Sequence, residues 1–471
     1  VTLIKSISGI RGTIGGKQGD ALTPVDVVKY TAAYSTIIKG DKHTAKVIVG
    51  RDARISGDMV NRLVTATLSG MGIDVIDLGL STTPTVEMAV KHEQADGGII
   101  ITASHNPKQW NALKLLNEKG EFISDEVGKQ VLKLAEQGDF EFAQIDKLGK
   151  ISHDQTWIQK HINHILALDL VDVEAIKSKN YKIVVDAVNS SGGIAVPQLL
   201  RALGVKEVIE LYCTPDGKFP HNPEPLPEHL TEISSVVKRN NAHLGIVVDP
   251  DVDRLALVCE NGHLFGEEYT LVAVAEYVVK NTTPEKYKQL GLINHTVSNL
   301  SSTRALKDIT IKAGGTYSSA AVGEVNVVNE MKKTQAIIGG EGNGGVILPE
   351  LHYGRDALAG IALFLTHLAK SGKMCSILRS TYPDYFIAKK KIELTPQINI
   401  DILLQRMMDK YSKQPINTID GIKIEFENEW VHLRRSNTEP IIRIYAESQS
   451  ETTANNLAEK FMEDMRQFIK S

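Results

Sequence analysis

Cysteine is scarce in this 471-residue chain: there are three, Cys213, Cys259 and Cys375, far apart and without Cys-x-x-Cys spacing. That excludes a disulfide framework and a zinc knuckle as organising features, and it points to a reducing, cytoplasmic setting. Long hydrophobic runs are missing as well. No segment approaches the roughly 20 apolar residues that cross a bilayer, and Val1-Thr2-Leu3-Ile4-Lys5 has no signal-peptide apolar core. The chain is therefore expected to carry no membrane anchor. Nor is charge one-sided: 53 Lys and Arg against 57 Asp and Glu leave a net charge of −4, which makes nucleic acid and anionic membranes poor default partners. An anion would have to be bound by a local cluster.

What the sequence does have is short apolar, β-branched runs separated by helix-length segments. Residues 46–50, 74–78 and 98–101 make one set, residues 181–186, 207–211 and 244–248 a second, and residues 291–293 and 336–339 belong to a third. This alternation predicts three doubly wound α/β domains with mostly parallel sheets. Past residue 372 the pattern changes to a helix over 402–411, strands over 421–426 and 441–446, and a closing amphipathic helix over 452–469, a smaller α+β domain. The expected domains are 1–150, 151–255, 256–370 and 371–471, in keeping with roughly 100 to 200 residues per domain.

Four loops carry chemistry. The first, Thr102-Ala103-Ser104-His105-Asn106-Pro107, follows the apolar stretch Gly98-Ile99-Ile100-Ile101. In α/β sheets the carboxyl ends of strands face the binding crevice, so Ser104 is placed to act as a nucleophile and phosphoryl carrier. A polar turn closed by proline is the plain alternative. His105, Lys108 and Lys114 are local candidates for activation or charge neutralisation, although adjacent residues of an extended chain, such as 104 and 105, point opposite ways.

The second loop, Asp249-Pro250-Asp251-Val252-Asp253-Arg254, follows residues 244–248. Side chains alternate in extended chain, so carboxylates at i, i+2 and i+4 aim one way, as hard oxygen ligands for magnesium would. An EF-hand is excluded because its sixth position, a required glycine, is Arg254, and residues 255–258 read as a strand.

In the third loop, Gly339 to Gly345 contains Gly-x-Gly-x-x-Gly, but Val346-Ile347-Leu348-Pro349 follows instead of a helix, which argues against a dinucleotide site. Glu341 and Asn343, flanked by glycines, suit sugar hydroxyls. The fourth, Arg434-Arg435-Ser436-Asn437-Thr438-Glu439-Pro440 with Arg443 beyond it, has the composition of a phosphate cradle.

These loops in this order, preceded by Ser8-Gly9-Ile10-Arg11-Gly12, resemble the α-D-phosphohexomutase family of phosphoglucomutases, phosphomannomutases and phosphoglucosamine mutases, over essentially the whole chain. The resemblance implies four domains around a central cleft, each carrying one loop. It implies a phosphoserine at Ser104, and Mg2+ held by Ser104, Asp249, Asp251 and Asp253. Arg11, His105, Lys114 and Arg254 would line the reacting end. Glu341 and Asn343 would bind sugar, and Arg434, Ser436, Asn437, Thr438 and Arg443 the phosphate that is not transferred.

The implied reaction interconverts hexosamine or hexose 6-phosphate and 1-phosphate through a sugar 1,6-bisphosphate, which also serves as activator. Residues 296–300 look most like phosphoglucosamine mutases, which makes glucosamine 6-phosphate to glucosamine 1-phosphate the leading expectation. A phosphomannomutase or phosphoglucomutase of mixed specificity is the alternative. A phosphatase using the same intermediate and a non-catalytic sugar phosphate binding protein are further ones. The chain departs from the family pattern at Asn343, where serine is common, and at Ala112, where glycine is usual. General acid and base candidates are Arg11, His105, Lys114 and Glu324, the last in a segment that reads as a solvated turn. The expected partners are small sugar phosphates, and the expected assembly is a monomer or homodimer.

Overall fold

The computed structural model describes residues 1–6, 9–393, 398–436 and 441–470. They form two compact units, residues 1–282 with 343–378, and residues 283–342 with 379–471.

The first unit contains two sheets. The larger runs in the order Ile4–Ser6, Gly9–Thr13, Trp110–Leu116, Gly97–Ile101, Lys46–Arg51, Asp74–Leu80, Ile151–His153. Its last four strands are parallel, as the βαβ pattern requires. Its first three are antiparallel additions that the periodicity did not show. The chain rises along Gly97–Ile101, reverses through residues 102–109 and returns along Trp110–Leu116. Lys114 therefore stands on a buried strand and not on a loop.

The core of this sheet joins Val47, Val49, Ile99 and Ile101 to Val27, Tyr34, Val60, Val64 and Leu68 from the helices Pro24–Lys39 and Gly57–Gly70. The first of these helices has a capped start. Thr23 and Asp26 form a reciprocal capping box, with proline at the first helical turn.

The second sheet repeats the device. Lys182–Asp186, Glu207–Leu211 and Leu244–Val248 are parallel, and Leu255–Cys259 returns antiparallel beside Leu244–Val248. Residues 249–254 form the tight reversal, so both the serine and the aspartate loops are hairpin turns at the carboxyl end of a parallel strand. The helices Glu267–Asn281 and Ala357–Ser371 pack on one another in this unit. Ala357–Ser371 is apolar on nearly every face and correspondingly buried.

In the second unit Thr316–Ala320, Ile293–Asn299 and Ala336–Glu341 lie parallel. A five-stranded antiparallel sheet follows, in the order Phe386–Glu393, Ile441–Ser448, Trp430–Arg435, Ile422–Glu425, Ile416–Asn417. Ile400–Lys410 and Glu451–Lys470 cover it, burying Leu403, Met407, Ile424, Leu433, Ile444 and Phe461. This is the α+β end of the chain. The expected domain over 256–370 supplies segments to both units. Among the described residues no helix is long and apolar enough to cross a membrane, and all three cysteines are free thiols.

Candidate functional site

Ser104 occupies the left-handed backbone region with φ 49°. A non-glycine residue there is uncommon and strained, which suits a residue whose side chain must be aimed. The kink defeats the alternation expected of extended chain: Ser104 Oγ and His105 Nδ1 lie 3.4 Å apart instead of on opposite sides. Ser104 Oγ also donates to Asp249 Oδ2 at 2.9 Å, which joins the two loops.

The carboxylates of Asp249, Asp251 and Asp253 are fully buried, each with an oxygen within 4.8 Å of the others. Val252 is left-handed at φ 64°, which turns the loop tightly between the second and third aspartate. Asp249 Oδ1 accepts from the backbone amides of Asp253 and Arg254, each at 3.2 Å. Asp251 Oδ2 takes Lys114 Nζ at 2.7 Å and Thr83 Oγ1 at 2.6 Å, and Asp253 Oδ2 takes Arg355 Nη2 at 2.6 Å. One oxygen of each, Asp251 Oδ1 and Asp253 Oδ1, is buried without a hydrogen-bond partner. Buried anionic oxygens without a hydrogen-bond donor are unfavourable, and a hard cation is the kind of group that would satisfy them.

The electrostatics follow from this crowding. Burial, then Asp253 and Asp251, push the Asp249 carboxyl well above its ordinary range. Burial would raise Asp251 too, but the Lys114 ammonium overrides it and holds that carboxyl below the usual range. Burial works against the charge on Lys114, yet Asp251 and Asp253 more than offset it and its pKa is raised. His105 is held well below the ordinary histidine value by burial, then by Arg254 and Arg11. It is thus a neutral imidazole near pH 7, able to accept or donate a proton.

Arg11 on Gly9–Thr13 sits opposite Ala112 and reaches Asn106 Oδ1 at 3.5 Å. Arg254 Nη1 lies 3.6 Å from Glu224 Oε1 and its Nε 4.0 Å from Asp253 Oδ1. Arg11, Ser104, His105, Lys114, Asp249, Asp251, Asp253 and Arg254 thus all belong to the first unit, as does Asn343. Lys108 is exposed.

Sequence reading missed Arg54. This fully buried guanidinium donates to four backbone carbonyls, those of Ser104, Asn106 and Pro107 in the serine loop and of Trp110 at the start of the returning strand. Asp52 holds it through Nε at 3.0 Å and also accepts from Thr102 Oγ1 at 2.6 Å. Thr102 Oγ1 in turn accepts from the Ser104 amide at 2.9 Å. The available signal was Arg51-Asp52-Ala53-Arg54 at the carboxyl end of a strand. Thr83 and Arg355 gave none.

The remaining candidates lie in the second unit. Glu341 ends the strand Ala336–Glu341, buried, and accepts from Asn299 Nδ2 at 2.8 Å and the Gly323 amide at 3.1 Å. Glu324 is not in a solvated turn: it opens the helix Glu324–Thr334 and is 8% exposed, because the chain enters that helix directly from Gly323. Arg434 lies opposite Arg443, and Arg443 opposite Lys391, so three cations share one sheet face. A cavity of about 520 Å³ is lined by Lys389, Lys391 and Arg443 among others. Ser436 is buried, its amide bonded to the Ile441 carbonyl at 3.0 Å. Ser8, Asn437 and Thr438 lie outside the described residues.

After the Gly339 to Gly345 run comes the strand Gly345–Ile347 and not a helix. Gly344 has φ 85°, and a Cβ there would sit 2.2 Å from the Leu255 carbonyl oxygen, so only glycine fits. Asn343 Oδ1 accepts from the Gly345 amide at 3.2 Å.

Four family descriptions match the chain in order. They are phosphoglucomutase/phosphomannomutase alpha/beta/alpha domain I over residues 3–142, domain II over 159–262, domain III over 266–385, and the C-terminal domain over 393–464. The chain belongs to the phosphohexomutase family. A phosphoglucomutase/phosphomannomutase of Thermococcus kodakarensis is 35% identical, over 98% of this chain and 99% of the relative. A phosphoglucosamine/phosphogalactosamine mutase of Sulfurisphaera tokodaii is 33% identical, over 95% and 96%. A solved structure of a phosphoglucomutase/phosphomannomutase family protein from Burkholderia thailandensis aligns with a TM-score of 0.83 at 24% identity, over 99% of this chain and 98% of that one, a likeness of fold. This phosphohexomutase is a mutase enzyme with three α/β domains and a C-terminal one, in agreement with the fold class read from the sequence.

Proposed function

We propose that this phosphohexomutase interconverts glucosamine 6-phosphate and glucosamine 1-phosphate through a phosphoserine at Ser104 and a glucosamine 1,6-bisphosphate. The observation that carries the reading is the 2.9 Å hydrogen bond from Ser104 Oγ to Asp249 Oδ2, made beside two buried carboxylate oxygens that have no hydrogen-bond partner. The glucosamine assignment is supported by the phosphoglucosamine/phosphogalactosamine mutase relative. The T. kodakarensis relative supports mixed glucose and mannose specificity as the second reading.

The donor set fits magnesium: three buried carboxylates with oxygens left over, and a serine oxygen beside them. Asp249, Asp251, Asp253 and the phosphoserine would hold Mg2+, which when bound supplies charge neutralisation on the phosphoryl group. The chain's own residues do the rest. Arg54 fixes the turn that presents Ser104. Asp249 and the neutral His105 are the groups within reach of the Ser104 proton. Lys114 holds Asp251 ionised, and Arg11 and Arg254 add positive charge at the reacting end, as spread charge on a transferring phosphoryl group requires.

Glu341 and Asn343 are assigned to sugar hydroxyls, and Arg434, Ser436, Asn437, Thr438 and Arg443 to the phosphate that stays in place. Cations opposite one another on neighbouring strands repel, and a bound phosphate relieves that repulsion. The four-domain division at residues 150, 255 and 370, one functional loop to each, belongs to the same proposal, as does a reducing, cytoplasmic setting for the three free thiols.

A coupled assay offering glucosamine, N-acetylglucosamine, glucose and mannose 6-phosphates side by side, with bisphosphate activator and with or without EDTA, tests the reading. The highest kcat/KM is expected for glucosamine 6-phosphate, with turnover lost in EDTA and restored by magnesium. Preference for glucose or mannose phosphate selects the second reading. Phosphate release faster than isomer formation would make the enzyme a phosphatase.

A further inference from the structure

Below the aspartate loop, in the same unit, lies a second buried cluster that the mutase chemistry does not use. His161 comes from the helix Trp157–Leu166, Glu87 from Thr83–His92, and His352 and Asp356 from the turn before Ala357–Ser371. All four are at most 4% exposed. Asp356 Oδ2 lies 2.9 Å from His161 Nε2 and 3.1 Å from His352 Nε2, and one ligand atom from each of the three falls within 4.8 Å of the others. Two imidazole nitrogens thus flank one carboxylate oxygen in a buried cluster.

The outward nitrogens are equally well placed. His161 Nδ1 meets Thr85 Oγ1 at 3.0 Å, and His352 Nδ1 lies 3.2 Å from Glu87 Oε2. A hydroxyl or carboxylate on the far ring nitrogen is the arrangement that orients a metal-bound imidazole and raises its donor strength. Gly354 is part of the construction: a Cβ there would lie 1.9 Å from Glu87 Oε2. Asp356 Oδ1 is engaged in capping the helix at the Ala359 amide, 3.0 Å away, which leaves Oδ2 as the inward donor.

We propose that His161, His352 and Asp356 form a binding site for one zinc-class divalent transition ion, structural in role and separate from the aspartate triplet. Zinc bonds to nitrogen and oxygen of about 2.0 to 2.1 Å place tetrahedral ligand atoms about 3.3 Å apart, close to the 2.9 and 3.1 Å from Asp356 Oδ2 to the two ring nitrogens. Two neutral imidazoles and a dication balance the buried charges of Asp356 and Glu87, whereas imidazole ligands disfavour magnesium. Binding displaces the protons the rings share with Asp356, and the ion is taken up as the chain folds around it. It would brace the aspartate loop, since the Thr83 amide donates to the Asp251 carbonyl at 2.8 Å and the Ala357 amide to that of Val252 at 3.2 Å.

The test is metal content and zinc K-edge X-ray absorption on the intact protein, expressed in zinc-supplemented medium and purified in excess magnesium. About one zinc per chain is expected, with two imidazoles in its coordination sphere. It should persist in Asp251→Asn and disappear in the double variant His161→Gln, His352→Gln. The wild-type spectrum alone decides the matter if that double variant does not fold. Absence of zinc, meaning a metal-free ion-pair network only, overturns the proposal. So does an all-oxygen zinc environment, zinc lost in Asp251→Asn, or zinc retained in the double variant. None of these readouts depends on the sugar phosphate reading.

Discussion

Ser104 Oγ donates to Asp249 Oδ2 at 2.9 Å across 145 positions of sequence. The bond closes because two parallel strands end in hairpin reversals, each containing a left-handed residue, Ser104 in one and Val252 in the other.

Replacing Ser104 with alanine removes the hydroxyl without disturbing the turn. Mutase turnover should fall by roughly a thousandfold or more, the scale of losing a nucleophile. Binding of sugar phosphate measured by calorimetry should change little. Retained turnover would remove Ser104 from the mechanism.

Arg54 makes a prediction about the turn itself. Arg54→Met leaves Asp52 buried without its cation and strips four carbonyls of their donor, so unfolding in urea should show a loss of about 3 to 5 kcal/mol, the scale of breaking a buried ion pair. Surviving folded enzyme should have a reduced kcat because the serine is no longer held. A variant as stable and active as the parent would show that the loop holds its shape unaided.

Two glycines separate strain from collision. Gly344→Ala combines φ 85° with a Cβ 2.2 Å from the Leu255 carbonyl oxygen, whereas Gly138→Ala at φ 68° meets nothing within 4 Å. Both should lower the melting temperature, with about 1 kcal/mol for backbone strain alone and distinctly more for Gly344. Equal shifts would contradict the collision.

Lys423 sets a pH dependence in the second unit. Burial pushes its ammonium down from 10.5 to about 8, against the pull of Glu425 and Glu447. The unfolded chain therefore binds more protons than the folded one between about pH 8 and 10.5, and stability rises with pH across that window. The gain tends toward about 3 kcal/mol, since each tenfold difference in proton affinity between the two states is worth about 1.4 kcal/mol. Below about pH 8 the lysine is protonated in both states and the penalty is fully present. Denaturant titrations from about pH 7 to 10.5 on the parent and on Lys423→Met should differ in slope, and parallel curves would refute the assignment.

Local sequence was enough for much of this. The strands read at 46–50, 98–101 and 244–248, and the placing of Ser104 and the three aspartates just past the ends of two of them, could be read because apolar periodicity and residue spacing act over a few residues. So could the strand that follows the glycine-rich run, which is written in Val346-Ile347. Other features could not. Lys114 was one candidate among neighbours because a single lysine inside Trp110–Leu116 carries no sign of its partners, Asp251 and Asp253, which come from a loop of another sheet. The alternation rule placed Ser104 and His105 apart, and one positive φ angle undid it.

By itself, then, the sequence determined which chemical groups are present and in which order the strands and turns that carry them form. Only the tertiary structure decided that Arg54 grips the serine turn, that Arg355 and Thr83 complete the aspartate loop, and that His161, His352, Asp356 and Glu87 meet in one buried cluster. The physical reason is range: capping, turns and periodicity are settled by neighbours along the chain. A buried charge finds its partner only after separate elements have packed around it, and no spacing in the sequence records which ones will.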